Sequence, residues 1–277
     1  MSLLPAWSEA FADDQLAAVG ALPIADARTW AFGGSTGAGV KVAIVDSGVD
    51  PSHPRVGPIQ GGVAMVVDPE AENGYREEEG PHEDLVGHGT ACAAIVRSLA
   101  PDAEIYSVRV LGANLKGRGG LFHAGIVWAI EHGMHVANLS LSSKSETLYA
   151  ALHDAADEAY FRRTVLVSAA NNQPGPTYPS QFSSVISVAC RPGADPLGLA
   201  TNPTPPVEFG ARGIDVDVAW LGGGSMVATG NSFAAPHVTG MVALMLAKHP
   251  HLTTFQVKAV LQAVSENAQV DPGEVSD

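Results

Sequence analysis

Five short runs of β-branched and other apolar residues recur along this chain, and stretches with helical periodicity separate them. The runs lie at residues 40–45, 105–110, 136–141, 165–168 and 185–188, with a weaker sixth at 216–219. Strands this apolar are typical of a parallel sheet that is buried on both faces. Helical patterns lie at residues 121–132, 145–161, 232–248 and 253–264. The alternation predicts an α/β fold in three layers, with a mainly parallel central sheet and helices on both faces.

Length and composition favour a single domain. The chain has 277 residues, of which 46% are hydrophobic and 16% charged, so one core can be large enough to need no cross-links. We predict one domain over residues 1–277, divided into an N-terminal extension, a core and a polar tail at residues 1–34, 35–265 and 266–277. Within it, residues 6–19 are expected to form a short helix near the binding cleft, and residues 57–84 an acidic loop.

Charge, cysteine content and the N-terminus exclude several classes of partner. The formal net charge of −14 disfavours binding to nucleic acid and to anionic membranes. Cys92 and Cys190 give neither a disulfide framework nor a zinc motif, and no apolar run is long enough to span a bilayer. The N-terminus lacks the basic start and long apolar stretch of a signal peptide. We therefore expect a cytoplasmic monomer, or a secreted protein if a leader has been removed.

Three polar residues stand where an α/β sheet usually carries its chemistry. Asp46 directly follows the first strand, His88 opens an apolar helix, and Ser232 opens the long helix at 232–248. Each alone has an ordinary explanation, as a turn former, a surface residue or a helix N-cap. Together they supply an acid, a base and a nucleophile at strand ends or helix starts of one sheet, where catalytic groups gather.

The residues around these three positions resemble the motifs of the subtilisin-like serine proteases, the subtilases. DSGVD at 46–50 matches the aspartate motif, GHGT at 87–90 the histidine motif, and GNSFAAPHV at 230–238 the serine motif. The resemblance extends over residues 35–265. It implies a subtilisin-like fold and a serine endopeptidase that acts through a Ser-His-Asp triad and an acyl-enzyme.

The resemblance implies a role for each catalytic group. Ser232 is the nucleophile, His88 the general base, and Asp46 the carboxylate that orients the imidazole and stabilises its cation. The segment of Ala170 and Asn171 matches the one that holds the family's oxyanion asparagine. Asn171 is therefore expected to donate its side-chain amide to the oxyanion, together with the backbone N–H of Ser232.

The resemblance also implies that a peptide or protein substrate binds as an extended strand between two edges of a cleft. The predicted substrate-binding residues are Leu111, Leu115, Lys116 and Gly117, then Ser140, Leu141, Ser142 and Ser143, and finally Ala169, Ala170 and Asn172. Ser142 and Ser143 stand where family members commonly have glycine, and Asn172 where several relatives have an acid. We therefore expect a neutral P1 residue of small to medium size.

Three departures from the family pattern bear on metals and on the flanks of the site. Arg55 stands where many secreted subtilases have a calcium-binding carboxylate, and the calcium loop of the histidine helix is missing. We expect no cofactor and no strong calcium site. A weak calcium site stays open, with the acidic residues at 68–84 as its oxygen donors. Cys92, one turn after His88, is expected to be a small buried residue rather than a catalytic thiol. Asn231 and Phe233 replace the usual Thr and Met beside the nucleophile without removing a catalytic group.

Two further functions stay open from the sequence. A transpeptidase or macrocyclase of peptide natural-product maturation would share the triad on the same fold. Relatives of that kind carry a helical insertion between the aspartate and histidine motifs, and residues 57–84 lack a helical pattern. A non-catalytic binding module would keep the fold without needing the catalytic groups. An endopeptidase, in particular a selective peptide-processing one, is the leading interpretation.

Overall fold

The structure, a computed structural model, describes residues 4–12, 14–80, 82–113 and 119–269. Its α-helices are α1 (Ala27–Phe32), α2 (His88–Leu99), α3 (Gly119–Glu131), α4 (Tyr149–Arg162), α5 (Asn231–Lys248) and α6 (Thr254–Val264). Short 3₁₀ helices cover Ser8–Phe11, Glu146–Leu148 and Leu221–Gly223. None of the described helices is both long enough and apolar enough to cross a bilayer.

The strands, in chain order, are β1 (Val19–Gly20), β2 (Lys41–Asp46), β3 (Gly61–Val67), β4 (Tyr75–Glu79), β5 (Glu104–Arg109), β6 (Val136–Leu139), β7 (Val165–Ala169), β8 (Ile186–Arg191), β9 (Leu199–Thr201), β10 (Phe209–Arg212), β11 (Val216–Trp220), β12 (Gly224–Ala228) and β13 (Ala268–Gln269). Within the described ranges, nine of them form one sheet in the order β4-β3-β5-β2-β6-β7-β8-β10-β9. Neighbours run parallel except at the two edges, where β4 pairs antiparallel with β3 and β9 with β10.

Strand β2 is the point from which the chain extends the sheet in both directions. Its two neighbours are β5 on one side and β6 on the other, both parallel to it. In open parallel sheets, ligands bind beyond the carboxyl ends of the strands at such a switch point. Asp46, the last residue of β2, therefore lies at the place in the sheet that is best suited to a functional site.

Two layers of helices cover the sheet, as the apolar runs predicted. Val42 and Ile44 of β2 face a core that is shared with α1, α2, α5 and α6. Ala43 and Val45 face the second core, which is shared with α3 and α4. All four side chains are fully buried, which explains why this strand is almost continuously apolar. The predicted α/β architecture is confirmed.

Three expectations from the sequence are wrong. Residues 57–84 are not a loop, because β3 and β4 form a hairpin at the sheet edge, with Val63 and Met65 buried in the second core. The strand predicted at 216–219 exists as β11, but it pairs with β12 in a separate antiparallel hairpin. Among residues 6–12 and 14–19, which the structure describes, there is no α-helix but one 3₁₀ turn and the start of strand β1, which pairs with β13 in the predicted polar tail. Burial of Phe11 by that single turn outweighs the helical tendency of the stretch.

Candidate active site

Asp46 at the end of β2 meets the side chain of His88 at the start of α2. Both carboxylate oxygens lie 2.9 Å from Nδ1 of His88, and Oδ1 also accepts the backbone N–H of Ser47 at 2.8 Å. A carboxylate can only accept, so Nδ1 carries a proton, and in the neutral ring Nε2 is left as an acceptor. The close approach of α2 to β2 requires Gly89, where an added Cβ would lie 2.0 Å from the carbonyl oxygen of Gly48.

Asp46 also controls the proton affinity of His88. Burial lowers the pKa of His88, but the adjacent carboxylate stabilises the imidazolium, and the pKa is raised well above its ordinary value of 6.5. Cys92 Sγ lies 3.8 Å from Asp46 Oδ2, and burial raises the pKa of this thiol. A buried thiol of raised pKa stays protonated at neutral pH, which agrees with the expectation of a small buried residue.

The position of His88 is fixed by Asp84, which sequence reasoning missed. The Asp84 carboxylate accepts the backbone N–H of Gly87 at 2.8 Å, the Ser47 hydroxyl at 2.8 Å and the Thr90 hydroxyl at 2.6 Å. It also accepts the backbone N–H of Thr90 at 2.9 Å, so it pairs a first-turn N–H of the helix that begins at His88 and ties that turn to the residue after Asp46. The available signal was an acidic residue shortly before a helix start, where an acid can bind the unpaired backbone N–H groups of the first turn.

Ser232 lies in the first turn of α5, and strand β6 holds that turn in place. The Ser140 hydroxyl donates to the carbonyl oxygen of Ser232 at 2.8 Å and accepts from the Asn138 side chain at 2.9 Å. The Asn138 Oδ1 atom in turn accepts the hydroxyl of Thr239, two turns along α5, at 2.9 Å. The end of β6 and the two cleft-lining residues that follow it, Ser140 and Leu141, thus belong to the segment that also positions the nucleophile.

A cleft of about 570 Å³ brings the base and the nucleophile together. It is lined by His88 and Ser232 with Leu111, Ser140, Leu141, Asn172, Trp220, Met226, Val227, Ala228, Thr229 and Phe233. Among the described residues, no hydrogen bond joins the Ser232 hydroxyl to the His88 ring, and such bonds are commonly loose before substrate binds. A larger cavity of about 950 Å³, between β1, β10 and α6, contains none of the three triad residues.

The structure places Asn172, and not Asn171, in this cleft. Oδ1 of Asn171 accepts the backbone N–H of Gln173 at 2.9 Å, whereas Oδ1 of Asn172 accepts the N–H of Asn231 at 3.0 Å. Nδ2 of Asn172 and Oγ of Ser232 lie 3.7 and 3.3 Å from the point that a Cβ on residue 230 would occupy. The expectation that Asn171 faces the nucleophile is wrong by one residue, because the Asn171 side chain bonds to the backbone of Gln173 in the bend that follows β7, and it is Asn172 that lines the cleft.

The structure brings only part of the predicted substrate-binding set to the cleft. Leu111, Ser140 and Leu141 line it, as does Asn172. Ser142 and Ser143 continue the same edge without lining the cavity, while Ala169 and Ala170 are buried in the core and do not line it either. The predicted residues Leu115, Lys116 and Gly117 lie outside the described residues.

Sequence reasoning missed the β11–β12 hairpin as a wall of the cleft. It contributes Trp220, Met226 and Val227, of which Met226 is 41% and Val227 64% exposed. Phe233 adds a ring whose centroid lies 5.3 Å from that of His88. The signal in the sequence was the weak strand pattern at 216–219, followed by apolar residues. These apolar residues are exposed rather than buried in a core, and exposed apolar residues of this kind favour a binding surface.

Comparisons with known proteins agree with this geometry. The Peptidase_S8 model, described as the subtilase family, matches residues 37–274. Subtilisin from Bacillus pumilus is 32% identical over 247 residues, which cover 84% of this chain and 86% of that protein. Subtilisin E from Bacillus subtilis (strain 168) shows the same identity, and the match covers 62% of its length.

Two solved structures share the fold. The crystal structure of a cold adapted subtilisin-like serine proteinase has a TM-score of 0.65 at 26% identity, over 81% of each chain. That of fervidolysin from Fervidobacterium pennivorans, a keratinolytic enzyme related to subtilisin, has a TM-score of 0.66 at 25% identity, over 82% of this chain and 39% of the other. The chain belongs to the subtilase family and is a serine endopeptidase.

Proposed function

We propose that this enzyme cleaves peptide bonds through an acyl-enzyme formed on Ser232. The observation that carries the proposal is the buried pair of Asp46 and His88, which presents Nε2 of the ring as a proton acceptor beside the cleft. Oγ of Ser232 attacks the scissile carbonyl carbon while its proton passes to His88. His88 then protonates the leaving amine as the C–N bond breaks. Water, activated by the same base, attacks the ester carbonyl, which releases the acid and regenerates Ser232.

We assign the stabilisation of the oxyanion to the side chain of Asn172 and the backbone N–H of Ser232. The hydrogen bond from Asn231 N–H to Oδ1 of Asn172 supports this assignment, because a fixed Oδ1 orients the Nδ2 donor of the same amide. Donors that are already in place before charge develops need no reorganisation during the reaction. The negative charge of the tetrahedral intermediate is thereby stabilised more strongly than the ground-state carbonyl.

The substrate is a peptide or protein segment bound as an extended strand, with a neutral P1 residue of small to medium size. Two backbone hydrogen bonds of 2.8 Å join Ser143 to Tyr178 just beyond Leu141. The side chains of Ser142 and Ser143, which stand where family members commonly have glycine, are expected to leave less room for the P1 side chain. With Asn172 as the oxyanion donor, the position that follows it is Gln173, which is also uncharged. Profiling with a peptide library tests this preference, and strong selection for Arg or Lys at P1 would contradict it.

The enzyme is further proposed to act without a metal. The Arg55 guanidinium donates to Oδ2 of Asp217 at 3.2 Å and to the carbonyl oxygen of the same residue at 2.9 Å. The positive charge of Arg55 therefore already pairs with the carboxylate of Asp217, where a calcium ion would need that carboxylate as a ligand. In the described ranges, the only group of His, Cys, Asp and Glu side chains close enough to share an ion is Asp46, His88 and Cys92, two of which form the catalytic pair. A chelator should leave the melting temperature and kcat unchanged, and a large fall in melting temperature would contradict this proposal.

Hydrolysis, and not cyclisation, is the outcome that the local structure favours. The segment between the aspartate and histidine motifs forms the β3–β4 hairpin, and no helical insertion is present among its described residues. Mass spectrometry of the products of a linear peptide separates the two reactions, because a hydrolysed peptide gains one water and a cyclised one does not. Labelling of the wild type with a fluorophosphonate, and none of Ser232→Ala, would exclude a non-catalytic binding module.

A further inference from the structure

Residues 4–12, here called the N-terminal segment, pack behind the cleft. The backbone N–H of Ala6 donates to the carbonyl oxygen of Asn172 at 3.0 Å. The carbonyl oxygen of Ala6 accepts from Nδ2 of Asn231 at 3.1 Å. One residue of this segment therefore contacts both parts of the chain that carry the proposed oxyanion donors, the loop of Asn172 and the turn that precedes Ser232. The cleft-lining residues include none from this segment.

Asn231 is the centre of this arrangement, and its side chain bonds to backbone groups of residues that do not line the cleft. The residue is fully buried. Its Nδ2 atom donates to Ala6 and also to the carbonyl of Ala170 at 3.1 Å, while its Oδ1 atom accepts the backbone N–H of Cys190 at 2.9 Å. Its own N–H donates to Oδ1 of Asn172 at 3.0 Å. Only an amide side chain offers both donors and an acceptor in this geometry, which explains an asparagine beside the nucleophile.

Two further contacts fix the N-terminal segment to the body of the domain. Phe11 is fully buried and packs on Gly210, where an added Cβ would lie 2.4 Å from its ring. The hydroxyl of Ser8 lies 2.9 Å from Sγ of Cys190, the residue whose N–H binds Asn231. The segment is therefore anchored by the buried side chain of Phe11 near its C-terminal end. Near its N-terminal end, Ala6 contacts the residues that carry the oxyanion donors.

We infer that the N-terminal segment positions the oxyanion hole of this enzyme, with Ala6 and Asn231 as positioning residues. The inference rests on the proposed role of Asn172. An oxyanion hole works only if its donors converge on one point, and a shift of an ångström removes much of the benefit. Ala6 sets the separation between the Asn172 loop and the Ser232 turn from behind. It does not touch the substrate, so its loss should reduce kcat and leave KM largely unchanged.

The matched pair Ala6→Pro and Ala6→Ser tests this role in the full chain. Proline removes the N–H that binds the carbonyl of Asn172, whereas serine keeps it. We expect Ala6→Pro to lower kcat on a peptide amide by about one to two orders of magnitude, with KM changed less than about twofold. Ala6→Ser should retain wild-type kcat. Titration with a fluorophosphonate, run to completion, measures the concentration of folded active sites in each preparation, and each kcat is calculated from that concentration.

A double-mutant cycle with Asn172→Ala separates positioning from general loosening of the fold. If Ala6 acts through Asn172, Ala6→Pro should lower kcat less than about twofold in the Asn172→Ala background. An equal factor in both backgrounds, or an unchanged kcat in Ala6→Pro itself, overturns the inference. If Asn172→Ala alone leaves kcat unchanged, the proposed oxyanion assignment fails first, and the inference fails with it.

A second pair of variants acts at a distance from the loop. Phe11→Ala should release the segment and reproduce the selective loss of kcat, and Phe11→Leu should restore most of it because the site stays filled. A Phe11→Ala enzyme that has wild-type kcat per titrated site below its melting temperature would contradict the inference, even if its stability is lower.

Discussion

The acid–base side of the cleft and its oxyanion side are built in different ways. Asp46 and His88 are fixed by residues 47, 84 and 90, which lie close to them in sequence around the central strand β2. On the oxyanion side, Asn172 and Asn231 are held by residues 6, 170 and 190, from three separate parts of the chain. Residues that are held by neighbours in sequence can be recognised from a sequence motif. Residues that are held by distant parts of the chain can be recognised only from the folded structure. The following predictions test this division, from the largest effect to the smallest.

Removal of the base should have the largest effect. His88→Ala leaves Ser232 without a proton acceptor, so kcat should fall by about six orders of magnitude, the scale seen when a triad loses its base. The measurement is the initial rate on a peptide amide, with Asn171→Ala as a control that leaves the triad intact. A His88→Ala enzyme within tenfold of the wild type would remove His88 from the mechanism.

The two neighbouring asparagines should differ sharply on the oxyanion side. Asn172→Ala should lower kcat by about 10²–10³-fold with little change in KM, because a donor to the oxyanion contributes about 3–4 kcal/mol in the transition state. Asn171→Ala should stay within about threefold of the wild type, since that side chain binds the backbone of Gln173 and lies outside the cleft. Steady-state kinetics on one substrate decides between them. The reverse order of the two variants would restore Asn171 as the donor.

Loss of Asp84 should lower the stability of the protein, because Asp84 holds the acid–base side of the cleft together. Asp84→Ala leaves buried donors of residues 47, 87 and 90 unpaired, so the free energy of unfolding should fall by about 3 kcal/mol. Asp68→Ala, which removes one exposed bond to a backbone N–H, should cost less than about 1 kcal/mol. Denaturant unfolding measures both. Equal stability of the two variants would show that Asp84 does not hold the start of α2.

The pH dependence of kcat/KM reports the charge on His88. The base must be neutral, and its pKa is raised by Asp46, so kcat/KM should fall with decreasing pH through a limb that lies above the ordinary value of 6.5. Asp46→Asn removes the charge that raises the pKa, so the limb should move to lower pH in the residual activity of that variant. An acid limb that stays in place in Asp46→Asn would mean that another group titrates.

How much of the site the sequence revealed follows the same division. The buried strand pattern predicted the sheet. The three motifs identified Asp46, His88 and Ser232, because each motif is a continuous stretch of sequence that can be recognised without the fold. Asn171 and Asn172 could not be told apart, since they carry the same side chain and only the folded bend after β7 decides which of them reaches the cleft. The bridge from Ala6 to Asn231 joins residues 225 apart in sequence, and no local pattern encodes such a contact.

The hairpin of β3 and β4 and the wall formed by β11 and β12 were missed for another reason. Residues 77–79 are all glutamate, which reads as a solvated loop, yet they lie on an exposed edge strand where charges are expected. Met226 and Val227 are apolar and exposed, so burial could not explain them and only the presence of the cleft does. In both cases tertiary position outweighed local composition.

The central claim is that Ser232 forms an acyl-enzyme that water resolves, and trapping this intermediate tests it most directly. An activated ester substrate, quenched with acid during turnover, should leave one acyl group per active enzyme, located on the peptide that contains Ser232 by mass spectrometry. Asn172→Ala should form the same adduct more slowly, and Ser232→Ala should form none. An adduct on another residue, or full activity with no adduct at Ser232, would contradict the account.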